Sequence, residues 1–324
     1  MDGAIESLDT RDADRACVPR VAVLVPCHNE ALTIAKVVAD FRAALPGAEI
    51  YVYDNCSTDD TSAVARLAGA TVRFEPRPGK GNVVRRMFGD VDADVFVIVD
   101  GDGTYDASAA PAMVEMLLAE HLDMVVGTRG NIFEQAHRRG HGFGNWLFNT
   151  LFGLLFGRQF ADIFSGYRVF SRRFVKTFPA VSSGFQIETE MAVHSSQLRL
   201  PVAELPTDYG KRIEGSTSKL STLRDALRIL GTFVLLFKEG RPAAFFITIA
   251  AVLSLIALAM GYPILDTYLA TGLVPRLPTA VLATGLVILG GISFACGLIL
   301  DSVARARIEQ RRIVYLNTPR RCQG

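Results

Sequence analysis

The feature that most limits the fold of this chain is a pair of long uncharged runs near its C-terminus. The first, PAAFFITIAAVLSLIALAMGYPIL, covers residues 242–265, and the second, LPTAVLATGLVILGGISFACGLIL, covers residues 277–300. Each is long enough to cross a hydrocarbon layer of ~30 Å as a helix of about 20 residues. Two such runs in tandem are not typical of the core of a soluble domain. The sequence therefore predicts a transmembrane hairpin over residues 242–300.

The charges that flank these runs predict their orientation. Lys238 and Arg241 precede the first run, and six arginines lie in the segment 301–324 after the second. The connecting loop contains only Asp266 and Arg276 as charged residues. Because positively charged flanks stay on the cytoplasmic side, we expect a multi-pass protein of the inner (cytoplasmic) membrane. Both termini, including a basic tail over residues 301–324, would then be cytoplasmic.

Three other segments have patterns of their own: one precedes the predicted hairpin, one is an apolar stretch within the main domain, and one is at the N-terminus. Residues 217–241 place leucines at helical spacing with charges between them, which predicts an amphipathic juxtamembrane helix. Residues 143–157 are apolar nearly all round but too short to span a bilayer, so a core helix and a membrane-contacting helix are both open. Residues 1–19 lack the pattern of a signal peptide, and we interpret them as a flexible leader.

Residues 20–216 have the pattern of an α/β domain. Short runs rich in β-branched and aromatic residues alternate with helical patterns such as EALTIAKVVADFRAAL. The predicted strands cover residues 21–26, 49–54, 71–74, 94–100 and 123–127. Strands that alternate with helices favour a mostly parallel sheet.

Net charge and cysteine spacing argue against several classes of function. The formal charge is +1 at pH 7 and no basic stripe dominates, whereas a protein whose main partner is nucleic acid needs clustered Lys and Arg. The five cysteines show no CxxC spacing, so the sequence predicts neither a zinc site nor a disulfide framework.

Polar side chains follow three of the predicted strands at the point where each strand ends. They are His28, Asn29 and Glu30 after the first strand, Asp54, Asn55 and Ser57 after the second, and Asp100 and Asp102 after the fourth. In such sheets, ligands bind at the carboxyl ends of the strands. The pattern therefore predicts that acids and amides meet at one edge, as a nucleotide and a metal ion would require.

The stretch VDGDGTYD, residues 99–106, contains the candidate metal ligands Asp100 and Asp102. Mg²⁺ is commonly held by one or two carboxylates together with phosphate oxygens of a substrate. The pair is weak as an isolated signal, because acids are also common in solvated turns. Two other nucleotide-binding motifs are missing: PCHNEA has no glycine of the GxGxxG fingerprint, and PRPGKGN does not match a P-loop.

A series of motifs in fixed order is much more specific. It consists of VAVLVPCHNEALTI, YVYDNCSTDDT, GKGNVVRRMF, VDGDGTYD, GTR, SGYRVFSRR and KRIEGSTSKL. This series resembles family 2 glycosyltransferases, and within them the polyprenyl-phosphate branch typified by dolichyl-phosphate mannose synthase. The resemblance covers about residues 20–222, and the hairpin that follows is similar to that of several bacterial and archaeal members.

The resemblance implies a fold and a reaction. The fold is a Rossmann-like GT-A domain with a mostly parallel sheet over residues 20–216, followed by the transmembrane hairpin. The reaction is inverting transfer of one sugar from a nucleotide diphosphate sugar to a polyprenyl phosphate, with Mg²⁺ or Mn²⁺ as cofactor. The partners would be the sugar nucleotide, the lipid phosphate and the bilayer.

The resemblance also implies site residues. Asp100 and Asp102 would hold the metal and the diphosphate. The residues implied to bind the donor nucleotide are Pro26, His28, Glu30, Asp54, Asn55, Lys80, Gly81, Asp100, Gly101 and Asp102. The residues implied to act in catalysis are Asp102 and the phosphate-binding cations Arg129, Arg212 and Lys219. Arg139, Ser165 and Arg168 are weaker candidates, each equally compatible with a structural role.

The chemistry of the acceptor agrees with this choice of residues. A phosphate monoester, with a second pKa of ~6, is already anionic near neutral pH and needs no strong general base. No His or Glu is therefore assigned as a proton acceptor. Glu188 and Glu190 are two residues apart on a predicted helix, so they should point in different directions, and one of them is a candidate contact for the sugar.

The identity of the donor and three other functions stay open. Asn55 stands where many family members have an aspartate, and Gly103 and Thr104 also depart from the common pattern. A UDP-linked hexose or N-acetylhexosamine is favoured, with GDP-mannose as the alternative. A processive polysaccharide synthase should carry a QxxRW segment, which the sequence around Trp146 lacks. A non-catalytic membrane adaptor and a soluble nucleotidyltransferase are the remaining alternatives, and small residues in LATGLVILGG would allow homo-oligomer packing.

Overall fold

The chain forms one mixed sheet with helices on both faces, followed by two long helices. The computed structural model describes residues 18–130, 149–150, 152–153, 156–157, 160–184, 186–210, 231, 234–235 and 237–320. The strands are β1 (Val21–Cys27), β2 (Glu49–Asp54), β3 (Thr71–Phe74), β4 (Val95–Ile98), β5 (Met124–Arg129), β6 (Arg168–Ser171) and β7 (Val202–Thr207). The predicted α/β class is confirmed.

The strand order is β3-β2-β1-β4-β6-β5-β7. β3, β2, β1 and β4 run parallel, and β7 is parallel to β5, whereas β6 is antiparallel to both of its neighbours. The predicted mostly parallel sheet is therefore confirmed. Strands β6 and β7 were not predicted, because RVFS is short and begins with an arginine, and VAELPT contains a proline that is typical of an edge strand.

Helices cover both faces of the sheet. They are α1 (Ile34–Ala44), α2 (Thr61–Leu67), α3 (Lys80–Asp90), α4 (Ala110–Ala119), α5 (Arg172–Thr177) and α6 (Ile187–Gln197). Local signals set several of the helix starts. The Ser171 side chain accepts the Phe174 N–H at the start of α5, and a proline occupies the first turn of α4. One hydrophobic core lies under α1 and α4, and the other lies under α3, α5 and α6.

Two long helices follow the sheet domain, α7 (Pro242–Thr271) and α8 (Leu277–Asn317). Both apolar runs identified in the sequence lie within them, and both helices are long and apolar enough to cross a membrane. Only 11% of the most apolar stretch of α7 and 17% of that of α8 are buried, which differs from the core helices of a soluble domain. These helices therefore suggest membrane association.

The two long helices pack closely against each other. A Cβ placed on Gly297 would lie 2.9 Å from the Phe246 Cβ, and one on Gly290 would lie 3.3 Å from the Ser254 Oγ. Small residues at such positions let two apolar helices approach. Gly272, in the left-handed conformation at φ 70°, ends α7.

Helix α8 continues beyond the apolar run and packs on the sheet domain. Tyr315 is 7% exposed, and its hydroxyl donates a hydrogen bond of 2.8 Å to the buried Asp123 at the start of β5. The guanidinium groups of Arg173 and Arg312 lie over the Tyr315 ring at 5.3 Å and 5.0 Å. Most of the segment predicted as a basic tail is therefore a helix that joins the long hairpin to the domain.

The apolar segment 143–157 is described only in part. Phe152 is fully buried in the core beside α6, and its ring lies 5.6 Å from that of Phe160. At this position the core-helix interpretation is favoured. Most of the predicted juxtamembrane helix 217–241 lies outside the described residues, and residues 237–240 at its end are helical.

Candidate active site

The candidate site lies at the carboxyl ends of β1, β2 and β4. These three strands are neighbours and parallel, so the loops that follow them meet at one edge of the sheet. Ligands of open α/β sheets bind at this edge, where neighbouring strands lead to different faces. The predicted meeting of the polar strand ends is therefore confirmed.

A buried lysine connects three elements at this edge. The Lys80 ammonium, at the first residue of α3, lies 2.5 Å from the Asp100 Oδ1 after β4 and 2.5 Å from the Glu188 Oε1 of α6. Burial lowers the pKa of Lys80, but the two carboxylates outweigh burial and hold that pKa well above its usual value. Lys80 is therefore cationic at neutral pH in a site that already contains two anions.

One carboxylate oxygen in this cluster has no partner. Glu188 is 6% exposed, and its Oε2 makes no hydrogen bond among the described residues. A buried carboxylate oxygen without a donor is costly. By its chemistry, the Oε2 atom could accept a hydrogen bond from a hydroxyl or amide group.

The prediction that Glu188 and Glu190 point in different directions is confirmed. Both carboxylate oxygens of Glu190 accept backbone N–H groups, from Val181 and Ser182, at 2.8 Å each. Glu190 therefore holds the loop before α6, whereas Glu188 faces the strand ends.

The loop that carries the two acids is held from several sides. Asp102 is 5% exposed, and its Oδ1 accepts the Thr104 hydroxyl at 2.6 Å. The Thr33 hydroxyl, from the start of α1, donates to the Gly101 carbonyl at 2.6 Å. A Cβ on Gly101 would lie 2.5 Å from the Cys27 Sγ, so only glycine fits at this position.

Gly166 is required on the opposite side of this loop. A Cβ on Gly166 would lie 2.4 Å from the Asp100 Oδ2, and the Gly166 N–H donates to the Tyr105 hydroxyl at 2.9 Å. Lys80 and Gly166 together fix the position of the Asp100 carboxylate.

The polar residues after β2 build the neighbouring loops. The Asn55 amide group donates to the Glu75 and Arg77 carbonyls, at 3.0 Å and 2.8 Å, and its oxygen accepts the Gly79 N–H at 2.7 Å. The His28 Nδ1 lies 2.7 Å from the Asn55 carbonyl oxygen. Asn55 therefore fixes the loop that leads into Lys80, and an aspartate would have no N–H groups for the two carbonyls.

Asp54 fixes the same region of backbone. Its Oδ1 accepts the Ser57 N–H at 2.9 Å and its Oδ2 accepts the Ser62 hydroxyl at 2.5 Å. The Glu30 N–H donates to the Thr61 hydroxyl at 2.8 Å, and Pro26 lies opposite Tyr53 in the sheet register. These three predicted donor-binding residues, together with His28 and Asn55, therefore surround the ends of β1 and β2.

Arg129 lies at the end of β5. Its guanidinium forms a two-pronged pair with Asp162, Nε to Oδ2 at 2.6 Å and Nη2 to Oδ1 at 2.8 Å, and lies 5.5 Å from the centre of the Tyr209 ring. Burial lowers the pKa of Arg129, but Asp162 raises it further, so the group keeps its charge. Tyr105 joins this group to the loop that follows β4, because its ring lies 5.1 Å from that of Tyr209.

Comparison with known proteins gives the same assignment from a separate direction. The family model described as Glycosyl transferase family 2 matches residues 22–178. Glycosyltransferase AglJ of Haloferax volcanii is 36% identical over 228 residues, which cover 70% of this chain and 75% of the relative. Protein RfbJ of Shigella flexneri is 57% identical over 122 residues, which cover 37% of this chain and 95% of the relative. The chain belongs to glycosyl transferase family 2.

A solved structure confirms the GT-A-like fold of this family 2 enzyme. Glucosyl-3-phosphoglycerate synthase of Mycobacterium tuberculosis, in complex with Mn²⁺ and UDP-glucose, matches with a TM-score of 0.55 and 24% identity. The match covers 68% of this chain and 79% of that chain. The predicted enzyme class, a glycosyltransferase of the hexosyltransferase type, is confirmed by the family and by its named relatives.

The weaker candidates Ser165 and Arg168 of this family 2 domain bind backbone, as does Gly81, which was predicted to bind the donor. The buried Arg168 donates to the Ser165 and Ile163 carbonyls, at 2.9 Å and 2.6 Å, and the Ser165 hydroxyl donates to the Gly127 carbonyl at 2.5 Å. The Gly81 N–H donates to the Ser183 carbonyl, and a Cβ on Gly81 would lie 2.0 Å from the Ser182 oxygen. These contacts support a structural role for each of the three residues.

Several predicted site residues lie outside the described residues. They are Arg139, Arg212 and Lys219, and the same holds for Trp146. Two contributors were missed in the sequence, Thr33 and Asp162. Asp162 could have been found as an acid three residues before the SGYR motif, whereas nothing in the sequence distinguishes Thr33 from other helix-start threonines.

The acids after β4 fit a hard divalent cation. Among the described residues, no group of three or more His, Cys, Asp or Glu side chains is arranged to hold a metal ion. Asp100 and Asp102 supply two carboxylates in one loop, and the Lys80 pair leaves Asp100 31% exposed at its side chain. A site with two carboxylates suits an ion that takes its other ligands from a diphosphate and water.

Proposed function

We propose that this family 2 enzyme transfers a single sugar, with inversion, from a nucleotide diphosphate sugar to a polyprenyl phosphate. The reaction would take place at the cytoplasmic face of the inner membrane, with α7 and α8 crossing the bilayer and both termini in the cytoplasm. The observation that carries the proposal is the cluster of Lys80, Asp100 and Glu188 at the strand ends, in a chain that continues into two apolar helices.

The cluster supports binding of the donor sugar. The free Oε2 of Glu188 would accept a sugar hydroxyl, and Lys80 holds the other oxygen of the same carboxylate. A hydrogen bond from a hydroxyl to a charged carboxylate is stronger than one between neutral groups. The Oε2 atom would also give up no existing hydrogen bond to form it. Lys80 would therefore orient Glu188 towards the sugar and Asp100 towards the diphosphate.

The remaining charges suit departure of the nucleoside diphosphate. Negative charge builds on that leaving group, and preorganised cations stabilise it. Asp100 and Asp102 would hold Mg²⁺ or Mn²⁺, which when bound supplies further positive charge at the diphosphate. Arg129, which keeps its charge against Asp162, together with Arg212 and Lys219, is our assignment for the donor and acceptor phosphates.

The acceptor explains why the site needs no histidine base. His28 lies at the Asn55 carbonyl, where it forms part of a binding wall. A phosphate monoester with a second pKa of ~6 is a nucleophile at neutral pH without loss of a proton to the enzyme. We therefore assign Pro26, His28, Glu30, Asp54 and Asn55 to the nucleotide pocket and none of them to proton transfer.

A UDP-sugar is the donor to test first. The glucosyl-3-phosphoglycerate synthase that shares the fold was solved with Mn²⁺ and UDP-glucose. This supports a UDP-linked hexose or N-acetylhexosamine, with Mn²⁺ or Mg²⁺, ahead of GDP-mannose.

The experiment measures transfer of label from a panel of UDP- and GDP-sugars to undecaprenyl or dolichyl phosphate by the full chain. We expect one donor to label the organic phase, and a chelator to remove the signal. Asp102→Asn should lower transfer by about a hundredfold or more. Asp106→Asn is the matched control, because Asp106 lies in the same stretch but caps the following turn through the Ser108 N–H.

Three results would contradict the proposal. Transfer to a soluble acceptor with no lipid product would show that polyprenyl phosphate is not the acceptor. Products longer than one sugar would favour a processive synthase. Full activity of a pathway in cells that carry Asp102→Asn would favour a non-catalytic adaptor.

A further inference from the structure

A second cavity lies between α6 and α8, away from the donor site. Its volume is about 360 Å³. Its walls come from the loop before α6, from one face of α6 and from the part of α8 just beyond the apolar run. The residues that carry its chemistry are His194 and Gln197 of α6 and Arg307 and Arg311 of α8.

Helix α6 separates this cavity from the candidate active site. Glu188 binds Lys80 on one side of the helix, whereas Glu190, His194 and Gln197 line the cavity on the other. Residues spaced by four and seven lie on one helix face, and a residue two positions away does not. A group bound in the cavity therefore does not occupy the position of the donor sugar.

Two arginines and two carboxylates line this cavity. Within the described part of the chain, neither Arg307 nor Arg311 has a carboxylate oxygen within ion-pair distance, and the Arg311 guanidinium donates a hydrogen bond to the Gln197 side-chain oxygen at 3.4 Å. Glu190 and Glu239 attract Arg311 through their charge, but both oxygens of Glu190 are taken by backbone N–H groups. Lys176 lies in an adjoining cavity that shares both arginines. The arginines therefore keep N–H donors for a bound anion.

A buried histidine nitrogen also lacks a partner there. His194 is 2% exposed and lines the cavity, and its Nδ1 makes no hydrogen bond among the described residues. Its Nε2 lies 3.1 Å from the Thr177 hydroxyl, which has the Arg173 and Phe174 carbonyls as acceptors for its own proton. With the Thr177 proton on one of these carbonyls, Nε2 carries the ring proton, and Nδ1 is an acceptor for a donor such as a hydroxyl.

The height of the cavity along α8 indicates a lipid. The apolar run ends at Leu300, and Arg307 and Arg311 follow seven and eleven residues later. At ~1.5 Å per helical residue, these side chains lie roughly 10 and 16 Å beyond that end. The head-group layer adds only about 5–8 Å on each side of the hydrocarbon. If α8 crosses the bilayer, the two arginines therefore lie just outside that layer, and their long side chains reach back to anionic head groups.

We propose that this cavity binds the head group of an anionic phospholipid that carries a free hydroxyl, of the phosphoglycerol type. The phosphodiester lies between Arg307 and Arg311, and a head-group hydroxyl donates to the His194 Nδ1. The inference rests on the membrane placement of α7 and α8 in the proposed function, but not on the transfer reaction.

The experiment measures lipid retention by the full chain purified in neutral detergent, with phosphatidylglycerol, phosphatidylcholine and phosphatidylmethanol as probes, read by native mass spectrometry. We expect retention of phosphatidylglycerol over phosphatidylcholine, and a loss of about tenfold in Arg311→Gln, since each hydrogen bond to a charged group contributes at this scale. Arg305→Gln is the matched control, because Arg305 lies on the same helix, is 76% exposed at its side chain and pairs with Asp301. That control should change retention less than twofold.

A second variant tests the hydroxyl. His194→Phe fills the same space without an acceptor, and it should remove the preference for phosphatidylglycerol over phosphatidylmethanol, which has the same phosphodiester and no hydroxyl. Competition by millimolar glycerol phosphate or inorganic phosphate at equal strength would show a soluble-anion site and overturn the lipid assignment. Equal losses in Arg311→Gln and Arg305→Gln would show non-specific surface charge and overturn it too. Asp102→Asn should abolish transfer and leave retention unchanged, so failure of the transfer proposal and failure of this one are distinguishable.

Discussion

The sheet domain and the long hairpin differ in which side chains they bury and which they expose. In the domain, charged side chains such as Lys80 and Asp102 are buried and held by partners. In the hairpin, large apolar side chains such as Leu258, Leu269 and Leu289 are more than half exposed. Soluble monomeric proteins rarely expose an apolar surface of that size, which is typical of an interaction or membrane-contacting surface. The difference suggests membrane association of the hairpin, and each experiment below tests one side of that contrast.

The largest effect is expected at the buried cluster. Lys80→Met leaves the Asp100 and Glu188 carboxylates without their cation, and loss of one partner of a buried pair costs about 3–5 kcal/mol. Thermal unfolding of the full chain in detergent would measure it. Lys36→Met is the matched control, because Lys36 pairs with Asp40 at the surface and such pairs contribute ~0–1 kcal/mol. Glu188→Gln in the Lys80→Met background should recover part of the loss, and equal effects at both lysines would contradict the buried-pair assignment.

Whether the hairpin crosses a membrane can be tested with two substitutions on the same helix, one inside the apolar run and one beyond it. Leu289→Arg places a charge in the middle of the apolar run of α8, which costs about 2.5–3.5 kcal/mol in a membrane and almost nothing on a water-exposed surface. Leu316→Arg lies on the same helix beyond the run, and the two leucines are 55% and 64% exposed. We expect Leu289→Arg to leave the membrane fraction or to be degraded, and Leu316→Arg to fractionate like the parent. Identical behaviour of the two variants would show that α8 does not cross a bilayer.

Acidification should weaken the region between α6 and α8. Burial, with a smaller effect of Arg311, lowers the pKa of His194 to about 3, against about 6.5 in an unfolded chain. The unfolded chain therefore binds the extra proton first, so the contribution is complete above pH 6.5 and is lost as pH falls towards 3. Between pH 7 and pH 5 the loss is about 2 kcal/mol.

The measurement for that effect is the change in unfolding free energy with pH, without anionic lipid. His194→Phe should flatten the slope over this range, because the titrating group is gone. His121→Asn, a change at an exposed position, should keep the parental slope. A parental slope in His194→Phe would show that another group titrates.

The strand ends could be predicted because parallel strands bring consecutive loops to one edge. Asp100, Asp54 and His28 were placed there from their position after apolar runs alone. The contacts that these residues make inside the protein could not be predicted. The Asn55 amide pins the loop over residues 75–79, and this depends on three backbone groups whose positions only the fold defines. Whether Asn55 also contacts the base stays a prediction.

The packing that connects the two regions could not be predicted from the sequence either. The arginines after Leu300 predicted an orientation by their charge, but not a helix that continues to Asn317 and packs against α5 and Asp123. That packing depends on Tyr315 meeting Asp123, and the two residues are 192 positions apart in the chain. Short-range patterns carry no information about a pair at that separation.

The smallest effect is expected where the two regions join. Tyr315→Phe keeps the ring between Arg173 and Arg312 but removes the hydroxyl that donates to the buried Asp123, whose other oxygen still accepts from Ser171. One unsatisfied buried acceptor costs about 1–3 kcal/mol, and the retained Ser171 bond favours the lower end. Hydrogen exchange of β5 and of the last turns of α8 should rise together, while α7 stays as in the parent. Tyr268→Phe, at a half-exposed position of α7, is the matched control. Faster exchange in α8 alone would mean that the helix end frays without loosening the domain, and that the two regions are not joined through this hydrogen bond.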